Sequence, residues 1–245
     1  MSDGPAARPA FYAARSGGWR DWWTLLHPPY TAWHLAYVVI GACLAPRVGL
    51  TALAATLLAF FLAVGLAAHA LDELNGRPLQ TQISSRALIA VTVVGLAGAV
   101  ALGAAGIARI GWALLPYMIV GPVLVIAYNA ELLHGALHTD LGFAVAWGAF
   151  PVLTAYTAQT GRLAVAPVLA AAGALALSAA QRALSTPARM LRRKTAAVEG
   201  SITLSSGERT AIDKAFLLGP LEQALRAMSW AIVLLAAALA VARLT

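Results

Sequence analysis

Phe61-Leu-Ala-Val-Gly-Leu-Ala-Ala-His69-Ala-Leu-Asp72-Glu73-Leu-Asn75-Gly-Arg77-Pro-Leu-Gln-Thr-Gln-Ile-Ser84 is the stretch on which the reading of this chain turns. It closes an apolar run, since no charged residue occurs from Val48 to Leu71. A run of that length is enough to cross a bilayer, which takes roughly 20 residues at about 1.5 Å each. The ionisable cluster therefore falls at the membrane boundary or just inside it, where such groups are costly and usually functional. On a helix His69, Asp72 and Glu73 stand at i, i+3 and i+4 and share one face.

Outward from this stretch the same pattern repeats. Uncharged runs cover 28–46, 48–71, 87–108, 110–130, 141–161, 163–181 and 227–242, the last only marginally long enough to span unless 217–225 extends it. They are continuously apolar and rich in Ala and Leu rather than alternating, which predicts helices and argues against strands. The expectation is an all-α integral membrane protein, a bundle of about seven transmembrane helices. It divides into a cytoplasmic N-terminal segment, 1–27, and a single transmembrane domain, 28–245. Of the 245 residues 60% are hydrophobic and only 11% charged, outside the usual range of soluble domains. The polar N-terminus lacks the pattern of a secretory signal. The single cysteine, Cys43, excludes a disulfide framework and reads as a packing residue.

Basic residues set the expected orientation. If the N-terminus is cytoplasmic, segments 1–27, 72–86, 131–140 and 182–226 lie on the same side, and they carry 13 of the 17 Lys and Arg. Only Arg47, Arg109, Arg162 and Arg243 fall on the other. The positive-inside rule then predicts a multi-pass protein of the cell membrane with its N-terminus in the cytoplasm. The net charge of +7 reflects this asymmetry, and nucleic acid is not an expected partner. Trp19, Trp22, Trp23 and Trp33 read as an interfacial aromatic belt, and His34 as a hydrogen-bonded buried histidine.

Three polar segments converge on the expected cytoplasmic side. The second helix ends in His69, Asp72 and Glu73. The fourth ends in Tyr128-Asn129-Ala-Glu131-Leu-Leu-His134-Gly-Ala-Leu-His138, with Glu131, His134 and His138 at i, i+3 and i+7. The sixth runs into Arg182, Arg189, Arg192, Arg193 and Lys194. A shared cavity is the functional reading; a solvated cap, a wet loop and a topology signal are the respective bland ones.

These segments resemble UbiA-type intramembrane prenyltransferases. Gly76-Arg77-Pro78-Leu79-Gln80-Thr81-Gln82-Ile83-Ser84 stands where that family has an Arg-Pro-Leu-Pro-x-Gly-x-Ile-Ser-like stretch after its first carboxylate motif. Phe150 through Tyr156-Thr-Ala-Gln159-Thr160-Gly161 is similar to the fifth helix of the dihydroxynaphthoate prenyltransferases, and 199–209 to a stretch beyond the second motif. The chain departs from the family in three ways. The first motif is His69-x-x-Asp72-Glu73, the second should fall in 185–196 where no carboxylate occurs, and the expected helices number seven rather than about nine.

The resemblance implies transfer of an isoprenoid from a prenyl diphosphate to an aromatic or other lipophilic acceptor, with prenyl diphosphate or another isoprenoid lipid, and the membrane, as partners. It implies catalytic roles for Asp72, Glu73, Arg77 and Tyr128. It implies substrate contacts from Asn129, Tyr156, Gln159 and the basic run Arg189, Arg192, Arg193 and Lys194. A divalent metal, Mg²⁺ first, suits carboxylates and phosphates. The residues themselves leave a second reading open. His69, Asp72, Glu73, Glu131, His134 and His138 form a mixed ligand set, Glu131-x-x-His134 has the di-iron spacing, and imidazole favours Fe or Zn. A third is a non-catalytic binder of prenyl lipid or quinone.

Overall fold

The computed structural model describes residues 9–245. A short helix, α1 (Trp19–Leu25), leads into α2 (Pro28–Cys43). Six longer helices follow: α3 (Leu50–Leu74), α4 (Ser85–Ile110), α5 (Trp112–Asn129), α6 (Asp140–Thr160), α7 (Val165–Lys194) and α8 (Lys214–Leu244). These six are long and apolar enough to cross a membrane, as in a multi-pass helical membrane protein. The expected first span is shorter: α2 has 16 residues, about 24 Å of helix.

The helix boundaries follow from local chemistry. Ser84 caps α4 by accepting from the Ala87 amide, Thr139 caps α6 from Gly142, and Asp213 caps α8 from Phe216. Pro28 sits in the first turn of α2, where its missing N–H is harmless. Exposed apolar side chains such as Val93, Val94, Leu234 and Leu235 lie on outward faces, which suits a lipid surround.

Successive long helices alternate in direction. The polar ends of α3, α5 and α7 return to one end of the bundle, called here the basic end, together with the start of α8. At the other end Arg243 reaches the carbonyls of Ala45 and Pro46, at 2.6 and 2.9 Å. Packing is tight where glycine permits it. A Cβ on Gly41 of α2 would collide with the Val152 carbonyl of α6, and one on Gly148 would lie 2.7 Å from the Ala174 carbonyl of α7. Tyr37 bridges the same helices by donating to the Ala174 carbonyl at 3.1 Å.

Two π-helical turns interrupt the spans, Phe61–Ala68 in α3 and Val145–Ala149 in α6. Such turns redirect side chains and concentrate at functional sites. Two expectations need correction. The chain is not wholly helical, because β1 (Gly200–Thr203) and β2 (Arg209–Ile212) pair antiparallel beyond α7. Trp33 does not join an interfacial belt, because α2 packs it against α6, α7 and α8 in the core, whereas Trp19, Trp22 and Trp23 are exposed.

Candidate functional site

A cavity of about 340 Å³ opens at the basic end. All three polar segments reach it, through His69, Asp72 and Asn75, through Tyr128, Asn129, Glu131 and His138, and through Arg182, Arg189, Arg192 and Arg193. The shared cavity expected from the helix ends is therefore present. Asn75 Nδ2 donates to the Asn129 carbonyl at 3.4 Å, and Asp72 senses the charges of Arg193, Arg189 and His138. No side chain among the described residues hydrogen-bonds the Asp72 carboxylate, which faces the cavity with Glu131 at its rim.

Neighbouring Glu73 plays another part. It is fully buried and accepts three hydrogen bonds from the following loop, from the Leu79 amide, the Thr81 amide and the Thr81 hydroxyl. Both oxygens are thus turned away from the cavity, and the implied metal or catalytic role does not fit this placement. Arg77 is likewise engaged, donating to the Ile83 carbonyl at 2.6 Å and to Ser85 Oγ at 2.8 Å. The Gly-Arg-Pro stretch is a loop braced by its own hydrogen bonds, with the Arg77 guanidinium engaged within it. Asp21 ties it to the N-terminal segment by accepting from the Gln82 and Gly17 amides.

The basic run divides in the same way. Arg192 makes a two-pronged pair with Glu222 of α8, both contacts at 2.6 Å, and Arg182 pairs with Asp140 at 2.8 Å. Arg193 Nε reaches the Pro9 carbonyl, and Arg189 only the Thr186 hydroxyl. Arg189 and Arg193 are thus the cations facing Asp72 that have no carboxylate partner among the described residues. Lys194 is exposed and does not line the cavity.

Tyr156 and Gln159 are placed elsewhere. Helix α6 runs away from the basic end, so Gln159 lies at the opposite one, bracing the amide and carbonyl of Gly49 at 2.8 and 3.3 Å. Tyr156 is buried on that half of α6 and lines neither cavity described here. The implied substrate contacts of both are corrected accordingly.

The six-residue ligand set does not gather. His134 is exposed and off the cavity, Glu131 stands at its rim, and Glu73 is bound to its loop. Among the described residues no three His, Cys, Asp or Glu side chains group to hold an ion.

Four histidines line the cavity, and three share one geometry. His34, His69 and His138 place Nδ1 at 2.9, 3.1 and 3.0 Å from the carbonyls of Trp147, Gly65 and Tyr128. A carbonyl only accepts, so Nδ1 carries the proton and a neutral ring keeps its Nε2 lone pair for another partner. The fourth, His27, was legible only as part of a polar segment. It stacks on His69 at 4.2 Å and pairs with Tyr12 Oη at 2.7 Å. Burial pushes it well below its ordinary value of 6.5, with His69, Arg193, Arg189 and His34 acting in the same sense. Tyr12 is raised, again by burial first and then by Tyr30. Among the described residues, His27 Nε2 and Tyr128 Oη are buried without a hydrogen-bond partner.

Sequence reasoning missed this N-terminal wall and Glu222. The latter carried a signal, being the one carboxylate in the apolar stretch from Ala215 to Leu225. Beyond the cavity lies a second one of similar volume, lined mainly by apolar residues of α3, α4, α5 and α6. The two share Val64 and Trp147, one from each π-helical turn. No family model, no curated protein and no solved structure matches this chain.

Proposed function

We propose that this chain is a membrane prenyltransferase of the UbiA kind, transferring an isoprenoid from a prenyl diphosphate to a lipophilic acceptor. The observation that carries the reading is a cationic polar cavity adjoining an apolar one, with Val64 and Trp147 lining both. That pair of volumes fits a molecule with an anionic head and an apolar tail. The positive-inside bias assigns the polar cavity to the cytoplasmic side.

Arg189 and Arg193 are the groups for the diphosphate, since planar guanidinium matches phosphate oxygens. A Mg²⁺ ion held at Asp72 would add charge neutralisation for the leaving group. As the allylic C–O bond breaks, its electron pair stays with the diphosphate, and the acceptor supplies the pair for the new bond. The free Nε2 atoms of His34, His69 and His138 offer places for the proton that the acceptor loses. Tyr128 and Asn129 frame the cavity between them.

A binding role without catalysis is the second reading. It is favoured by the engagement of Glu73 with its loop and Arg192 with Glu222, which among the described residues leaves Asp72 and the rim residue Glu131 as the acids of the cavity outside an ion pair. Purified protein incubated with a prenyl diphosphate, Mg²⁺ and a panel of phenols and quinols separates the two. Release of diphosphate that disappears in Asp72→Asn supports transfer. Binding without release supports the second reading, and absence of binding overturns both.

A further inference from the structure

The apolar cavity has a definite length. On α3 its lining residues, Thr51, Ala55, Ala59 and Ala63 among them, follow one face for four turns and reach Val64. From Thr51 to Val64 is 13 residues, about 19 Å at the rise of a helix. The other three walls agree: Ala99–Ile110 on α4 and Leu114–Val125 on α5 each give about 17 Å, and Ala146–Ala158 on α6 about 18 Å. The cavity is therefore a slot parallel to the helices, kept open by small residues such as Ala55, Ala59 and Gly103. Its near end is the shared Val64–Trp147 boundary. Its far end carries the one charged residue of the lining, Arg109.

We propose that this slot measures the tail of the donor and selects isoprenoid chains of about three to four units, fifteen to twenty carbons. The inference rests on the diphosphate reading above. An extended isoprene unit adds four chain bonds of about 1.5 Å, roughly 5 Å along its axis, so the slot is filled by three to four units. A shorter tail leaves apolar wall uncovered. A longer one must pass the Arg109 guanidinium, which an apolar chain does not solvate. Ala55 stands nine residues from Val64, about 13 Å into the slot, and a large side chain there leaves room for two to three units.

The experiment is equilibrium binding of ten-, fifteen-, twenty- and thirty-carbon prenyl diphosphates, with Mg²⁺, to the detergent-solubilised full chain. Wild type is expected to gain at least about ten-fold in affinity for each unit added inside the slot, full burial of its five carbons setting an upper bound of roughly a thousand-fold, and to lose affinity at thirty carbons. Ala55→Trp is expected to move the optimum to ten or fifteen carbons. Arg109→Leu, an exposed change at a helix end that does not depend on repacking the slot, is expected to restore the thirty-carbon donor. Affinity flat in length, or rising through thirty carbons in wild type, overturns the length selection and leaves the diphosphate reading standing. Binding of no diphosphate at any length overturns both.

Discussion

Thr81 donates twice to the same oxygen of Glu73, from its amide at 2.8 Å and from its hydroxyl at 2.9 Å. With the Leu79 amide on the other oxygen, the carboxylate organises the loop that closes the basic end of α3 and α4. Glu73→Ala leaves three buried donors without a partner, each costing about 1–3 kcal/mol. The expected result is a loss of about 3 kcal/mol or more in unfolding of the detergent-solubilised protein. Asp72→Asn is expected to abolish ligand binding with little change in stability. The reverse pattern would return the catalytic role to Glu73.

Arg192 and Arg189, three residues apart on α7, are expected to behave oppositely. The Arg192–Glu222 pair is largely buried, with side chains 6% and 11% exposed. Removing one partner from such a pair costs about 3–5 kcal/mol. Arg192→Ala should therefore lower the melting temperature strongly, whereas Arg189→Ala should weaken prenyl diphosphate binding by about 2 kcal/mol or more and leave melting nearly unchanged. Equal effects of the two on binding, with stability intact in both, would refute the division.

The meeting of the three polar segments was legible because membrane-length helices in alternation bring every second helix end to one side. Helical spacing placed His69 and Asp72 on a usable face, but the face expected for Glu131, His134 and His138 does not form, because left-handed turns at Glu131 and His134 break the helix there. Nor did spacing distinguish Asp72 from Glu73. Adjacent residues are about 100° apart on a helix, and which of them meets the loop depends on a Thr81 amide that pattern does not locate. Gln159 was misplaced because a resemblance in sequence carries no statement about depth: the residue stands 19 positions beyond Asp140, about 28 Å along α6, at the opposite end. Residues 9–27 read as a polar segment, and polarity alone does not show that Tyr12 and His27 fold back over the cavity. The π-helical turns were invisible for a related reason, since their apolar composition equals that of the α-helix around them.

His27 gives a pH test. Its folded-state value is held well below 6.5 by burial, so below about 6.5 the unfolded chain binds a proton that the folded one does not. The stability that the neutral ring contributes is complete above pH 6.5 and falls as pH drops from there toward the lowered folded value. Wild type should therefore melt at progressively lower temperature from about pH 7 to pH 5, and His27→Gln should flatten that slope. An unchanged slope in the variant would assign the pH dependence to other groups.

The last expectation concerns Gly41, where α2 meets α6. A Cβ there would collide with the Val152 carbonyl, a backbone atom that cannot rotate away. Gly41→Ala forces the two helices apart, and overpacking of this kind costs about 1–3 kcal/mol. The displacement would act on the site as well, because His34, two turns earlier on α2, is tied to α6 through the Trp147 carbonyl at 2.9 Å. Loss of stability together with weakened ligand binding is therefore expected from a substitution that touches no ligand. Gly173→Ala serves as the comparison, since a Cβ at that position on α7 meets nothing within 4 Å. In a helix interior the change from Gly to Ala is favourable by about 1 kcal/mol, so this variant should be as stable as wild type or more so. Equal melting temperatures for the two variants would refute the close approach of α2 and α6.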